Sequence, residues 1–384
     1  MKERIIILQR LLPHYRVGFF KKFCRRFPNS KILYGQPYKG ESLKNAEQSN
    51  ANIFEYSKNT YLSKTGKVFF SNIYFRIFKY RPDVIISVFN VGNLNIYLLF
   101  ILKFFLRYKL ILWSFVYDPV KGFDPNKRTA DKVRLYLSQK ADAVIFYWDI
   151  GKQVVSKYSD EADHYFVASN TLDTDRQFEL KEKFDKIGKE KTKTELGIKE
   201  KFHFVYVGRL LEDKQVDLLL RAFKIVEDKN PDCGLSIIGD GPELINLEKL
   251  SVELGDRNVR FKGEILNDEL TGKWIYVSDA FIMPGRLGLS VVHSFCFGTP
   301  VISQKKEDYF HGEGVGYIKE NLNGYLVEDG SIEKIAEKMA VIISDSELSN
   351  KLRLNAFDTA VNECSIDNMI NGFEQALNCA TSKE

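Results

Sequence analysis

Short, almost wholly apolar runs separated by polar turns set the rhythm of this chain. In the first half, residues 4–8, 31–34, 84–88, 109–113 and 143–147 are mostly Ile, Val, Leu and aromatic side chains, with Arg4, Lys31 and Lys109 opening three of the runs. Uniformly apolar runs of this length predict strands buried on both faces of a parallel sheet. A helix is predicted over 17–27, after the loop Pro13-His-Tyr-Arg-Val-Gly18. Phe166-Val-Ala-Ser-Asn-Thr-Leu-Asp173 closes this half, which reads as a doubly wound α/β domain.

The second half repeats the rhythm. Phe204-Val-Tyr-Val-Gly-Arg-Leu-Leu-Glu-Asp-Lys214 is a strand, a Gly turn and a basic pair, and a helix with apolar positions 216, 218, 219, 220 and 223 follows. Leu235-Ser-Ile-Ile-Gly-Asp-Gly241 is a strand with a Gly-rich exit, and 259–263 is a shorter one. A strand over 280–283 stops at Pro284-Gly285, and a tight loop carries Gly288. A helix then runs from Ser290 to Gly298, before the strand that starts in Thr299-Pro-Val-Ile-Ser303. The highly charged residues 176–200 predict one solvated helix linking two domains. The resulting division is 1–175, a linker over 176–200, 201–363, and a last helix over 364–384.

Composition agrees with two soluble domains. The chain has 384 residues, too many for one ordinary core, with 44% hydrophobic and 28% charged residues. Its five cysteines (24, 233, 296, 364, 379) are odd in number and lack metal-site spacing, so they read as reduced thiols of a cytoplasmic protein. Met1-Lys-Glu-Arg-Ile reads as a charged start and a strand, not a signal peptide.

Charge is divided unevenly. Residues 1–170 hold 28 Lys and Arg against 13 Asp and Glu, a net +15, and the remainder holds 28 against 38, a net −10. A basic half implies an anionic partner. Residues 96–109 in that half are apolar, aromatic and basic, which is a membrane-interface composition. They equally suit a buried helix with cations at its C-terminal end. A spanning helix is not predicted, because Asn90, Gly92, Asn93 and Asn95 interrupt the uncharged stretch. No nucleic-acid motif accompanies the basic charge.

The candidate chemistry gathers at strand exits of the second half. Ser290 is placed as an N-cap, which would leave helix amides facing the Gly288 loop and suit a diphosphate. Arg209 and Lys214 flank another strand-to-helix loop and could clamp the same anion. Gly208, Gly239, Gly241 and Gly288 would permit close backbone approach. In the first half, His14 and Arg16 flank the exit of the first strand, where ligands bind in such sheets.

The ordered motifs from Phe204 to Val327 resemble the retaining glycosyltransferases of the GT-B fold, the glycogen-synthase-like group 1 family. The resemblance implies two Rossmann-like domains facing a cleft. It implies a UDP- or GDP-linked sugar donor in the second domain and a glycan or lipid-linked acceptor in the first, with no separate cofactor and no metal. It carries diphosphate contact onto Arg209 and Lys214, with Gly263, Arg286, Leu287 and Leu289 among the donor-binding positions. Two family glutamates fall at Gly285 and His293, so neither carboxylate is present, although His293 could still meet ribose hydroxyls. A family histidine near the reacting sugar is also absent, leaving Tyr117 or Asp118 as occupants of that space. Glu313, in His311-Gly-Glu-Gly314, stands where the family often has an acidic ligand contact. The last helix is expected to cross back to the first domain. The function implied is retaining sugar transfer in bacterial surface-polysaccharide synthesis, at the inner face of the plasma membrane. A non-catalytic nucleotide-sugar-binding subunit and a sugar-nucleotide epimerase of the same fold remain alternatives.

Overall fold

A computed structural model describes residues 3–41, 43–46, 52–118, 121–159, 162–306 and 310–382. Internal contacts divide the chain into two compact units, Met1–Asp173 with Ile366–Glu384, and Thr174–Ser365.

The first unit contains β1 (Ile5–Gln9), α1 (His14–Arg26), β2 (Ser30–Tyr34), β3 (Phe54–Tyr56), β4 (Asn59–Tyr61), β5 (Phe69–Ser71) and α2 (Tyr74–Tyr80). It continues with β6 (Val84–Val88), α3 (Asn95–Leu106), β7 (Lys109–Ser114), α4 (Thr129–Lys140), β8 (Ala143–Phe146), α5 (Asp149–Ser156) and β9 (Tyr165–Val167). Seven strands form one sheet in the order β3-β2-β1-β6-β7-β8-β9, and β4 and β5 make a separate antiparallel pair. Each pairing in the large sheet is parallel, with Ile5 set between Ser30 and Val84. The runs predicted at 84–88 and 109–113 fall on β6 and β7. The short strands β3, β4 and β5 and the helix α2 were not anticipated; Asn59, Thr60, Glu55 and Ser71 break up any apolar run there.

The second unit contains α6 (Thr174–Ile187), α7 (Lys189–Glu195), β10 (Phe202–Val207), α8 (Val216–Lys229), β11 (Cys233–Ile238), α9 (Leu244–Leu254), β12 (Val259–Phe261) and α10 (Asp268–Val277). It continues with β13 (Ala280–Ile282), α11 (Ser290–Cys296), β14 (Val301–Gln304), β15 (Gly324–Val327), α12 (Ile332–Ser344) and α13 (Ser346–Asn362). Its sheet is parallel, in the order β12-β11-β10-β13-β14-β15. The chain order reverses between β10 and β13, and ligands sit outside the strand ends at such switch points.

The segment 176–200 is not one solvated linker. It forms α6 and α7, separated at Gly188 (φ +88°), and both belong to the second unit. Leu180 and Phe184 are buried, and the Phe184 ring lies 5.6 Å from Tyr276 and 5.8 Å from Phe297. Their spacing of four puts them on one face of a helix whose other faces are charged, and that narrow stripe is easily hidden in a charged sequence.

The last helix, α14 (Ile366–Ser382), packs in the first unit on β7, β8 and β9. Phe373 reaches Trp113 and Phe19, with ring centroids 4.8 and 5.2 Å away. Gly372 makes the approach possible, because a Cβ there would stand 2.3 Å from the Val167 carbonyl oxygen. On an exposed helix Gly→Ala gains about 1 kcal/mol. Here Gly372→Ala is expected to lower the melting temperature by several degrees, consistent with an overpacking penalty of ~1–3 kcal/mol. An unchanged or higher melting temperature would contradict the close contact.

Candidate functional site

Three strand exits of the second unit are fastened to one another by backbone. After β10, the Gly208 amide donates to the Ile238 carbonyl at 3.0 Å, and the Leu210 amide to the Asp240 carbonyl at 2.9 Å. Gly239 has φ +152°, and a Cβ there would lie 1.8 Å from the Gly208 carbonyl oxygen. At Gly241 the corresponding distance to the Leu210 oxygen is 2.3 Å. These glycines let two loops touch. Gly263 (φ +67°) faces open space, and its carbonyl accepts the Gly239 amide.

The third exit, after β13, pairs with the turn that carries Lys214. The Gly285 amide donates to the Lys214 carbonyl at 3.0 Å, and the Arg286 amide to the Asp213 carbonyl at 2.8 Å. The Lys214 ammonium reaches back to the Arg286 carbonyl at 2.5 Å. A Cβ at residue 285 would fall 2.2 Å from the Asp213 oxygen. Position 285 therefore has no room for any side chain. Burial lowers the Lys214 pKa, Asp213 opposes that shift, and Arg286 adds to it. Arg209 is exposed, and its carbonyl accepts the buried Tyr206 hydroxyl at 2.9 Å.

A further segment lies along the Gly288 loop. The Leu287 amide donates to His311 Nδ1 at 3.1 Å, which leaves Nε2 to donate to the Gln304 carbonyl at 2.8 Å. Burial lowers the His311 pKa. The Gly312 amide donates to the Leu287 carbonyl at 2.9 Å, and a Cβ at Gly314 would sit 2.0 Å from the Gly288 oxygen. Glu313 begins the turn Glu313–Tyr317 between those contacts. His311 was passed over in the sequence, where only its place in a His-Gly-Glu-Gly loop marked it.

The helix after this loop differs from expectation. Leu289, not Ser290, occupies the cap position, and no side chain caps the helix. Ser290 is already helical, and its hydroxyl turns toward the Met283 sulfur at 3.8 Å. By contrast, Asn267, Ser331 and Asp345 each accept an amide hydrogen bond at a helix start. The first-turn amides of α11 still have no acceptor within the helix. On the same helix His293 is half-buried, its ring 5.6 Å from Phe297. Its Nε2 is buried without a hydrogen-bond partner among the described residues. Burial brings its pKa down to about 4, against the pull of Asp268, so the ring is neutral at pH 7.

In the first unit, His14 is exposed, whereas Arg16, the other candidate at this strand exit, is buried. Helix α1 starts at His14 rather than 17, following Pro13 at φ −68°, and this turns Arg16 onto the sheet. Its guanidinium lies 4.4 Å from the Trp113 ring centroid and 5.3 Å from that of Tyr147. Nη2 donates to Asn170 Oδ1 at 3.2 Å. Stacking on aromatic faces replaces an ionic partner here.

Tyr117 is buried, and its hydroxyl accepts from Trp148 Nε1 at 2.7 Å. Asp118 accepts the Lys121 amide at 3.1 Å and exchanges backbone bonds with Gly122, so it shapes a turn. Both line a cavity of about 480 Å³ with Ser114, Phe115 and Arg134 at the strand ends of this unit. Among the described residues no three His, Cys, Asp or Glu side chains are grouped to hold a metal ion.

Residues 188–359 match the family of glycosyl transferases group 1. Similar proteins include a lipopolysaccharide core biosynthesis glycosyltransferase, LpsE, of Rhizobium meliloti, 29% identical over 44% of this chain and 48% of its own. The poly(glycerol-phosphate) alpha-glucosyltransferase of Bacillus subtilis is 29% identical over 47% of this chain and 26% of its own. The chain thus spans about half the length, or less, of the curated relatives it matches. The structure of Anabaena HepE in complex with UDP aligns with a TM-score of 0.70 and 15% identity, covering 98% of this chain and 99% of that one. That likeness shows a common fold, two parallel α/β sheets in two units.

Two results are expected from this geometry. Gly285→Glu should lower the melting temperature by at least the few degrees of a ~1–3 kcal/mol overpacking penalty, and an unaltered melting curve would refute the close pairing. The second result concerns pH. A histidine whose folded pKa lies below its unfolded value near 6.5 is charged more readily in the unfolded chain. The His293 contribution to stability is therefore complete above about pH 6.5 and lost as pH falls toward about 4. His293→Gln should narrow the difference in melting temperature between pH 7 and pH 5, and an unchanged difference would contradict the neutral, half-buried ring.

Proposed function

We propose that this chain, whose residues 188–359 match the family of glycosyl transferases group 1, is a glycosyltransferase that moves a sugar from a nucleotide-diphosphate donor to a glycan or lipid-linked acceptor. One observation carries the reading. The Lys214 ammonium is fixed on the carbonyl of Arg286, at the loop that leads into α11. A cation and helix-start amides held at one strand exit by backbone pairing form a preorganised seat for a diphosphate. Arg209, exposed at the start of the same turn, adds a second cation.

In this scheme the acceptor hydroxyl attacks the anomeric carbon while the bond from that carbon to the donor phosphate oxygen breaks. The departing diphosphate, its charge balanced by Arg209 and Lys214, takes the hydroxyl proton on the face it leaves. Atoms and charge balance without a side-chain base, so retention is compatible with Gly285 and His293 in place of two glutamates. The basic first unit would receive the acceptor, through the cavity beside Tyr117 and Asp118. Relatives named for lipopolysaccharide core and poly(glycerol-phosphate) glycosylation favour a bacterial surface polymer as the acceptor class. The absent carboxylates also support a second reading, a subunit that binds nucleotide sugar and transfers nothing.

UDP, GDP, CDP and ADP titrated against the thermal midpoint separate these readings. One nucleotide should raise it, by the equivalent of ~2.7 kcal/mol at a hundredfold excess over the dissociation constant. The increment should vanish in Arg209→Ala/Lys214→Ala. No increment with any nucleotide would overturn the donor site. An increment without turnover of the matching sugar nucleotides by any acceptor would favour the binding subunit.

A further inference from the structure

Two helices of the first unit turn apolar side chains outward. On α3, the buried positions are Asn95, Ile96 and Leu99. The exposed stripe is Tyr97, Leu98, Ile101, Phe104 and Phe105, spaced at i, i+1, i+4, i+7 and i+8. Phe104 is 82% and Phe105 70% exposed. An ordinary surface helix carries polar residues on that stripe. On α2, Ile77 is buried while Phe75 and Phe78 stand 73% and 51% exposed. No helix among the described residues is long and apolar enough to cross a membrane.

Cations crown this surface. Arg81 and Arg107 occupy the C-cap positions of α2 and α3, both in left-handed backbone conformation (φ +49° and +56°). Both are exposed, and neither side chain has a hydrogen bond or ion pair among the described residues. With Lys109, Phe78, Phe105 and Leu106 they line a groove of about 740 Å³, which joins the ends of the two helices into one surface. The Arg4 charge in the same groove is occupied by Asp83 at 3.1 Å, and Glu3 also borders it.

We propose that the exposed face of α2 and α3 docks on an anionic lipid bilayer. The aromatic and aliphatic side chains enter the headgroup boundary, and Arg81 and Arg107 meet lipid phosphates. Aromatic rings beside cations suit that interface, where apolar burial and attraction to anionic headgroups add. Charge complementarity selects this occupant over a second copy of the chain. Two copies would bring like-charged arginines and the +15 of residues 1–170 together, whereas an anionic surface neutralises them. The proposal stands apart from the transfer reaction, since none of these residues belongs to the donor site.

Sedimentation of the full chain with phosphatidylcholine vesicles, with and without phosphatidylglycerol, tests it. The chain should bind the anionic vesicles and be released by salt. Phe104→Ser/Phe105→Ser and Arg81→Gln/Arg107→Gln should each weaken binding roughly tenfold or more, with the melting temperature unchanged. Equal binding to neutral and anionic vesicles, no binding to either, or self-association that the phenylalanine variant abolishes would overturn it.

Discussion

The second unit depends on a backbone contact that admits no side chain. Gly285 and Arg286 pair with Asp213 and Lys214 closely enough that a Cβ would collide with the Asp213 carbonyl. That pairing fixes the Lys214 ammonium on the Arg286 carbonyl and sets where the chain enters α11. Gly239 against Gly208, Gly241 against Leu210, and Gly314 against Gly288 repeat the device. The loops at the strand ends thus hold one another by main-chain contact, and a rigid loop can present amides and a cation without reorganising. Gly239, Gly241 and Gly285 are first a means of joining loops.

Much of the fold was legible because buried parallel strands have uniform apolar runs. The runs at 84–88, 109–113 and 143–147 fall on central strands, and the order of Gly-punctuated strands in the second half resembles the family whose domain matches there. What was illegible has physical reasons. In β3, β4 and β5 polar residues such as Glu55, Asn59, Thr60 and Ser71 interrupt any apolar run. Leu180 and Phe184 are two apolar positions in a charged segment, and only packing against Tyr276 and Phe297 reveals them. Ser290 looked like a cap, yet the helix starts one residue earlier and leaves its hydroxyl beside Met283. Arg16 read as a ligand candidate at a strand exit, because no sequence pattern announces the Trp113 and Tyr147 rings, far away in the chain, on which it stacks. His311 carries no signal beyond its neighbours, and its importance lies in bonds to Leu287 and Gln304.

The two units use charge differently. In the second, the Lys214 ammonium is held on the Arg286 carbonyl at the loop that leads into α11. In the first, one arginine is sunk among rings while others stand at helix ends beside exposed phenylalanines. The excess of +15 over residues 1–170 is therefore partly internal and partly concentrated at an apolar face. A count of charges alone cannot make that distinction, because it depends on which helix face each residue takes.

The central claim is that a donor diphosphate sits at the loops held by Gly285. Hydrogen exchange of backbone amides, with and without saturating UDP or GDP, tests it most directly. The account predicts slowed exchange over 208–214 and 286–291 with one nucleotide, and none at the exposed stripe of α3. Protection elsewhere in the chain, with those two segments unaffected, would contradict it.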